Sequence, residues 1–487
     1  MLAAGAEGRR PQGRLVADVT GSRNLPGTGT QPAAPGGLAD HRAAVDQLQR
    51  AYAAIPPGTP VRLAKRTSNL FRFAADGSSA ALDVSAFARV LRVDPASRTA
   101  VVGGMTTYED LAEATLRYGL MPRVVPQLKT ITLGGAVTGL GIESSSLRSG
   151  LPHESVTQME ILTGDGRVVT AAAEGEHGAL YRGFPNSYGT LGYALSLTIE
   201  LEPATPFVHL RHFRFSGPDE CMAAVAQIAQ DGSYAGHRAD FVDGTAFGLD
   251  EMYLTVGAFS EVAPWLGDYT RERIYYQSIR GPREDFLTIR DYLWRWDTDW
   301  FWCSRAFGVQ NPVIRRAWPR RYRRSDTYRR LVAFDRKHQL SAALNARRGR
   351  PPREYVAQDV DIPVERGAEF LRFFADRVGM SPVWLCPLRL RDGRGWPLYP
   401  LRPGHVYVNF GFWGTVPLPA GAGDGHFNRL IEEQVTALGG RKGLYSSSFY
   451  SQEEFWALYN GPEYARLKRA YDAEGRLASL YNKCVTV

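Results

Sequence analysis

Four glycines within eight residues place the tightest constraint on this chain. Thr132–Ser144 reads Thr-Leu-Gly-Gly-Ala-Val-Thr-Gly-Leu-Gly-Ile-Glu-Ser. Glycine permits positive φ and carries no Cβ, so a bulky anion can approach the main chain and successive N–H groups can converge on phosphate oxygens. The spacing Gly-Gly-x3-Gly-x-Gly is not the dinucleotide fingerprint Gly-x-Gly-x-x-Gly, and no βαβ unit surrounds it. Alone, such a run equally describes a hairpin or a bulge. Its neighbours argue for more.

Those neighbours form an ordered series. Val61–Leu70 starts as a strand and runs into the basic, hydroxyl-rich turn Lys65-Arg-Thr67-Ser68-Asn69. Ala81–Val84, Val90–Asp94 and Thr99–Gly104 read as short strands. A helix opens at Tyr108, capped by Thr106 or Thr107. Val124–Leu128 leads into the glycine run. Met159–Thr170 is a hairpin about a Gly-Asp-Gly turn. Phe184–Gly192 ends in Gly189-Thr190-Leu-Gly192 and precedes an alternating strand, Tyr193–Leu201.

The order of basic turn, Thr-x-Gly-Gly segment and Ser-x-Gly-x-Leu-Gly resembles the flavin-binding domain of the vanillyl alcohol oxidase and p-cresol methylhydroxylase (PCMH) superfamily. Within it, Thr132–Ser146, Pro382–Pro387, Tyr407–Gly411 and Glu453–Gly461 resemble the Δ24-sterol (24-dehydrocholesterol) reductase family. Tyr292–Trp302 and Trp318–Arg324 resemble bacterial flavoproteins that reduce a 10-methylene fatty acyl chain to the 10-methyl chain of tuberculostearate type. The resemblance implies an α+β fold: a two-subdomain PCMH-type FAD-binding domain plus a substrate/cap domain. Residues 1–40 are expected as a disordered tail, 41–206 as the FAD-binding domain, 207–445 as the substrate/cap domain, and 446–487 as a segment packing back on the FAD domain.

With 487 residues, 44% of them hydrophobic, the chain can bury more than one core. Its four cysteines are scattered and form no metal or CxxC pattern, so buried thiols in a reducing compartment are expected. No apolar run reaches membrane-spanning length, and the N-terminus lacks the apolar stretch of a signal peptide. The expected location is cytoplasmic, extending to the inner face of the cell membrane. The net charge of +8 is concentrated locally: Arg315, Arg316, Arg320, Arg321, Arg323, Arg324, Arg329 and Arg330 interleave with Trp318, Tyr322 and Tyr328. This is either a solvated basic face or a surface for anionic headgroups or nucleotide phosphates. No recognition motif points to nucleic acid.

The resemblance implies FAD and, as reductant, NADPH. FAD is expected on Lys65, Thr67, Ser68 and Asn69, on the run Thr132, Leu133, Gly134, Gly135, Ala136, Val137, Thr138, Gly139, Leu140, Gly141, Ile142, Glu143 and Ser144, and on Gly189, Thr190 and Gly192. The early turn carries no histidine, so FAD is expected to be non-covalent; His153, beside the run, is read as structural. Partners implied are a lipid substrate, a phospholipid-bound acyl chain included, a peripheral membrane contact and a companion methyltransferase. No metal is expected. An isolated alkene cannot take hydride directly, because no carbonyl stabilises the carbanion. Protonation must come first, in an apolar pocket whose aromatic faces stabilise the cation. Trp294, Trp296, Trp300, Phe301 and Trp302 have that composition, and Asp297 and Asp299 among them are candidate acids, since apolar surroundings raise a carboxyl pKa. They are also placed to pair with Arg295 or Arg305. Glu143, Tyr407 and His405 are further candidates. Rival readings are reduction of a sterol side chain, an FAD-dependent alcohol oxidase or dehydrogenase, and a flavin-free lipid-binding protein.

Overall fold

The computed structural model describes residues 37–65, 71, 79–338 and 347–485. The turn residues Thr67, Ser68 and Asn69, and nearly all of the expected tail, lie outside them. Residues 37–40, assigned to that tail, instead form the first turn of helix Gly37–Ala53. This helix buries His41, Val45, Leu48 and Tyr52, the single stripe of an amphipathic helix.

The first lobe has two sheets. Val61–Ala64 and Ala80–Asp83 pair in parallel, with Val61 opposite Ala80. An antiparallel sheet follows the order Val90–Asp94, Thr99–Gly103, Tyr193–Pro203, Val156–Leu162, Val168–Ala172, with Leu120–Pro122 added beside Tyr193–Pro203. Helix Gly37–Ala53 closes a small core of Val61, Leu82, Phe87, Leu162 and Leu195.

The second lobe is an eight-stranded antiparallel sheet. Its central strands are Phe241–Ala246, Val383–Arg389, Val406–Pro417 and Arg353–Pro363. Side chains alternate across a sheet, and the two faces here have different tasks. Val356, Val360, Ile362, Val383, Leu385, Val408, Phe410 and Phe412 join Phe370, Phe374 and Ile431 of the covering helices Val364–Arg377 and His426–Ala437. The opposite face presents Ala357, Trp384, Cys386, Tyr407 and Trp413 to the first lobe's core. The fold is thus α+β, in the two-subdomain-plus-cap form expected of the PCMH type.

Residues 446–485 run back to the first lobe. Val61 N donates to the Arg476 carbonyl (2.8 Å), Asp165 N to Tyr471 (3.1 Å), and Lys468 Nζ to Thr190 (2.8 Å). The four cysteines are free, and Cys221, Cys386 and Cys484 are buried. Among the described residues no helix is long and apolar enough to cross a membrane.

Two segments differ from their expected form. Thr132–Gly141, whose glycine spacing alone equally describes a hairpin or a bulge, contains the short helix Leu133–Gly139; the Thr132 side chain caps it by accepting from Gly135 N (3.2 Å), and Leu140 ends it at φ 56°. The composition of residues 271–350, rich in aromatics and arginine, predicts helix, but its tryptophan-rich stretch is a chain of tight turns: the helix Ile289–Leu293 stops at Trp294, and Trp300 and Phe301 lie at φ 46° and 59°. Two consecutive residues in the left-handed region cannot continue a right-handed helix.

Candidate functional site

One cavity, about 350 Å³, lies where the first lobe, the second sheet and the C-terminal segment meet. Of the residues expected at a cofactor, Lys65, Thr132, Gly134, Gly135, Ala136, Thr138, Gly139, Leu140, Gly141, Ile142, Gly189 and Gly192 line it. Leu133 and Val137 point into the core instead, as helical periodicity requires of residues four apart. Glu143 and Ser144 face away from the cavity, toward Arg295 and Tyr292. The Thr190 hydroxyl folds back onto the Ser187 carbonyl (2.8 Å).

The amides expected to converge on phosphate are engaged within the fold. Leu133 N donates to Thr106, Gly134 N to Gly104 (both 2.9 Å), and Gly141 N to Ala136 (3.0 Å). What the run offers a ligand is its bare glycine face. Gly189 (φ 75°) and Gly192 (φ 146°) extend that face, both in conformations that disfavour a side chain.

The opposite wall is aromatic. Phe301 sits 4.3 Å from Trp413 and 5.4 Å from Trp384, centroid to centroid, and Phe71 stacks on Trp300 at 5.6 Å. Tyr445 accepts from Trp413 Nε1 (2.8 Å). The polar groups on the lining are few. Gln127 is buried with Nε2 lacking a hydrogen-bond partner, Asp359 lines the cavity from the second sheet, Lys483 Nζ donates to the Tyr188 carbonyl (2.7 Å), and Arg62 and Lys65 stand exposed at the edge. Cationic edge, side-chain-free wall, an unpartnered amide donor and an apolar aromatic end suit an extended group with a charged part and a flat ring system. FAD is such a group.

The carboxylates proposed as acids lie elsewhere. Asp297 accepts from Lys129 N (3.0 Å) and Ser325 Oγ (2.5 Å), tying the loop before the glycine run to the helix Ser325–His338. Asp299 holds Arg315 through both oxygens (2.6 and 3.0 Å) and accepts from Ser304. Glu143 bonds Ser144 and Arg295; burial pushes its carboxyl up while Arg295 opposes the shift. None of the three lines the cavity. Tyr407 and His405 do not either. His153 is buried edge-on against Trp396 (4.4 Å), and burial lowers its pKa to about 3, so it is a neutral packing residue.

Sequence reasoning passed over Asp359, Trp384, Trp413 and Tyr445. A signal for the first existed. Asp359 and Asp361 interrupt an otherwise buried strand on one face, and carboxylates are seldom placed there without a task.

Fold and cavity together define an α+β protein with a PCMH-type FAD-binding first lobe. Residues 42–172 match the family model described as "FAD binding domain". The chain is also similar to Delta(24)-sterol reductase of Homo sapiens, 24% identical over 326 residues, which are 63% of this chain and 59% of the relative. The Arabidopsis thaliana protein of that name is 24% identical over 356 residues, 65% of this chain and 60% of the relative. The chain thus aligns with about three fifths of the length of these curated relatives.

Proposed function

We propose that this protein is an FAD-dependent, NADPH-using reductase of an isolated carbon–carbon double bond in a lipid, with a 10-methylene fatty acyl chain, reduced to 10-methyl, as substrate. One observation carries the reading: the glycine-faced cleft and the aromatic-walled apolar pocket are a single cavity. A cofactor on the glycine face shares that cavity with an alkene between Trp384, Trp413, Trp300 and Phe301, whose ring faces favour a developing cation. The glycine face, Gln127 and Lys65 would hold the FAD. Bound FAD supplies hydride. The chain's own residues exclude water, orient the alkene and deliver the proton. No histidine or cysteine lines the cavity among the described residues, which favours non-covalent retention.

The relatives' names concern a sterol double bond, so a sterol side chain is the second reading. The likeness in Tyr292–Trp302 and Trp318–Arg324 favours the acyl chain. An anaerobic stopped-flow experiment tests both. NADPH should bleach the bound flavin, and a 10-methylene phospholipid should restore its colour faster than a Δ24 sterol does. Flavin left oxidised by both nicotinamides removes the reductase reading. Rapid reoxidation by air with peroxide release favours an alcohol oxidase.

A lipid substrate also calls for contact with a membrane. Val313 (79% exposed), Ile314, Tyr322 and Phe334 (55% exposed) are large apolar side chains left in water among the exposed Arg316, Arg320, Arg321 and Arg330. Apolar anchors mixed with cations suit an anionic bilayer surface. The expected result is co-sedimentation with vesicles containing anionic lipid, weakened by salt and by Val313→Glu combined with Ile314→Glu. Equal pelleting with purely zwitterionic vesicles contradicts it.

A further inference from the structure

We propose that Asp359 is the acid that protonates the alkene, with Asp361 and Tyr445 holding it ready. This rests on the reductase reading and adds to it the proton donor.

The placement follows from strand alternation. Val356, Val360 and Ile362 face the helices, so Ala357, Asp359 and Asp361 face the other way, with Trp384 and Trp413. Asp359 is the only carboxylate on the cavity lining among the described residues. Opposite it across the strand pair is Gly411. A Cβ there would come within 2.5 Å of Asp359 Oδ1 and 2.6 Å of the Trp413 ring, so the glycine makes room for the carboxyl. Oδ1 has no hydrogen-bond partner. Tyr445 bonds the Asp359 side chain, and because Trp413 Nε1 donates to the Tyr445 oxygen, the phenol proton is available to the carboxyl. Asp361, by contrast, is fully engaged by Tyr399 (2.6 Å) and Asn409 (2.8 Å).

The electrostatics separate the two. Burial, and then the charge of Asp361, push the Asp359 carboxyl up to about 8; the Tyr445 hydrogen bond opposes this. Burial raises Asp361 to about 6 against its two donors. Near neutral pH the pair is therefore one acid beside one carboxylate, the division of labour seen where two titratable groups are pushed apart. Of the other charged groups nearby, Arg441, across from Asp361, gives Nη1 to the Gly440 carbonyl while its Nε has no hydrogen-bond partner, Lys442 pairs with Glu432, and Lys483 on the cavity lining donates to the Tyr188 carbonyl.

The step balances as follows. The Asp359 O–H bond breaks and its proton forms a C–H bond with the π electrons of the alkene. The tertiary cationic carbon would face the aromatic wall and take up hydride, the chemistry that reduced FAD, with NADPH as its reductant, would supply there. The carboxylate regains a proton from water.

The test compares the wild type with Asp359→Asn and Asp361→Asn. Infrared difference spectra should show a protonated carboxyl at pH 7 that Asp359→Asn removes, a readout independent of turnover. Single-turnover reoxidation of the NADPH-reduced flavin by a 10-methylene lipid should fall about a hundredfold or more in Asp359→Asn. In wild type this rate should be level below pH 8 and fall above it, since the acid form is lost as pH rises through the carboxyl's pKa. Asp361→Asn, removing a like charge, should move that fall to lower pH. A missing infrared band, or full reoxidation by Asp359→Asn, overturns the assignment. If the band is present but wild-type reduced flavin is not reoxidised by any alkene, the reductase reading has failed and the acid role with it.

Discussion

A folded but colourless protein is the expected result of replacing Gly135 with leucine. A Cβ built on Gly135 meets only the Thr132 hydroxyl, at 2.8 Å, and the residue lines the cavity. The new side chain therefore projects into the space assigned to FAD. Leucine is a good helix former, and the segment is helical. The cost to the fold is limited to disturbing the Thr132 cap, about 1 kcal/mol. FAD affinity should drop by at least about a hundredfold, because a filled cleft cannot be relieved by moving one side chain; every 1.4 kcal/mol of lost binding is tenfold. Neighbouring glycines should behave oppositely. A Cβ on Gly134 would come within 2.7 Å of the Gly104 carbonyl, and one on Gly104 would collide with the Ala194 carbonyl. Alanine at either position should lower the melting temperature, since main chain must move. Fluorescence titration with FAD alongside thermal melting separates the cases. A yellow Gly135→Leu protein of native affinity would show that the cofactor does not use this face.

That contrast shows what was legible in the sequence. The run Thr132–Gly141 identifies itself through residue types whose effect is local, and the structure places most of it on the cavity. Which of its amides remain available depends on Thr106 and Gly104, residues brought close only by the tertiary fold. First-lobe strands such as Val90–Asp94, Thr99–Gly103 and Tyr193–Pro203 were readable because alternation and turn residues are also local signals. The acid was not. Reading composition near Trp300 drew attention to Asp297 and Asp299, yet in a segment of tight turns adjacent side chains point in unrelated directions. Trp300 and Phe301 reach the cavity, while Asp297 binds Ser325 and Asp299 binds Arg315. Trp384, Trp413 and Asp359 come together through the pairing of Arg353–Pro363 with Val406–Pro417, and of that strand with Val383–Arg389. Register between strands separated by dozens of residues leaves no mark on any one of them, whereas the two aspartates alternating with Val360 and Ile362 did leave one.

The largest loss of stability is expected at Arg295, which binds none of the lining residues directly. Its side chain is fully buried, Nη2 donating to Asp243 (2.8 Å) and Glu143 (3.2 Å), Nη1 to the Tyr292 carbonyl (2.9 Å). The guanidinium also lies 4.0 Å from the Tyr292 ring centroid. Arg295→Met keeps much of the apolar stem but leaves two carboxylates buried together without a cation. Breaking a buried pair this way costs about 3–5 kcal/mol. The sign of the pH dependence follows. Burial already pushes Glu143 up while Arg295 restrains it, so removing the arginine raises it further. A carboxyl raised in the folded state stabilises the fold below its unfolded pKa and loses that contribution as pH rises through the folded one. The variant's deficit in urea unfolding should therefore be greatest near pH 8 and smaller near pH 5. Adding Glu143→Gln should recover part of it, a coupling that a double-mutant cycle measures. The effect reaches the cavity through Asp243, which accepts from Trp296 Nε1 (2.9 Å) and Trp384 Nε1 (3.5 Å). With Arg295 gone, Asp243 loses the cation that fixes its carboxylate against the Trp384 indole of the aromatic wall. Flavin and lipid affinity should then weaken together with stability. A deficit below about 1 kcal/mol at pH 8 would mean that water, not Arg295, balances these two carboxylates.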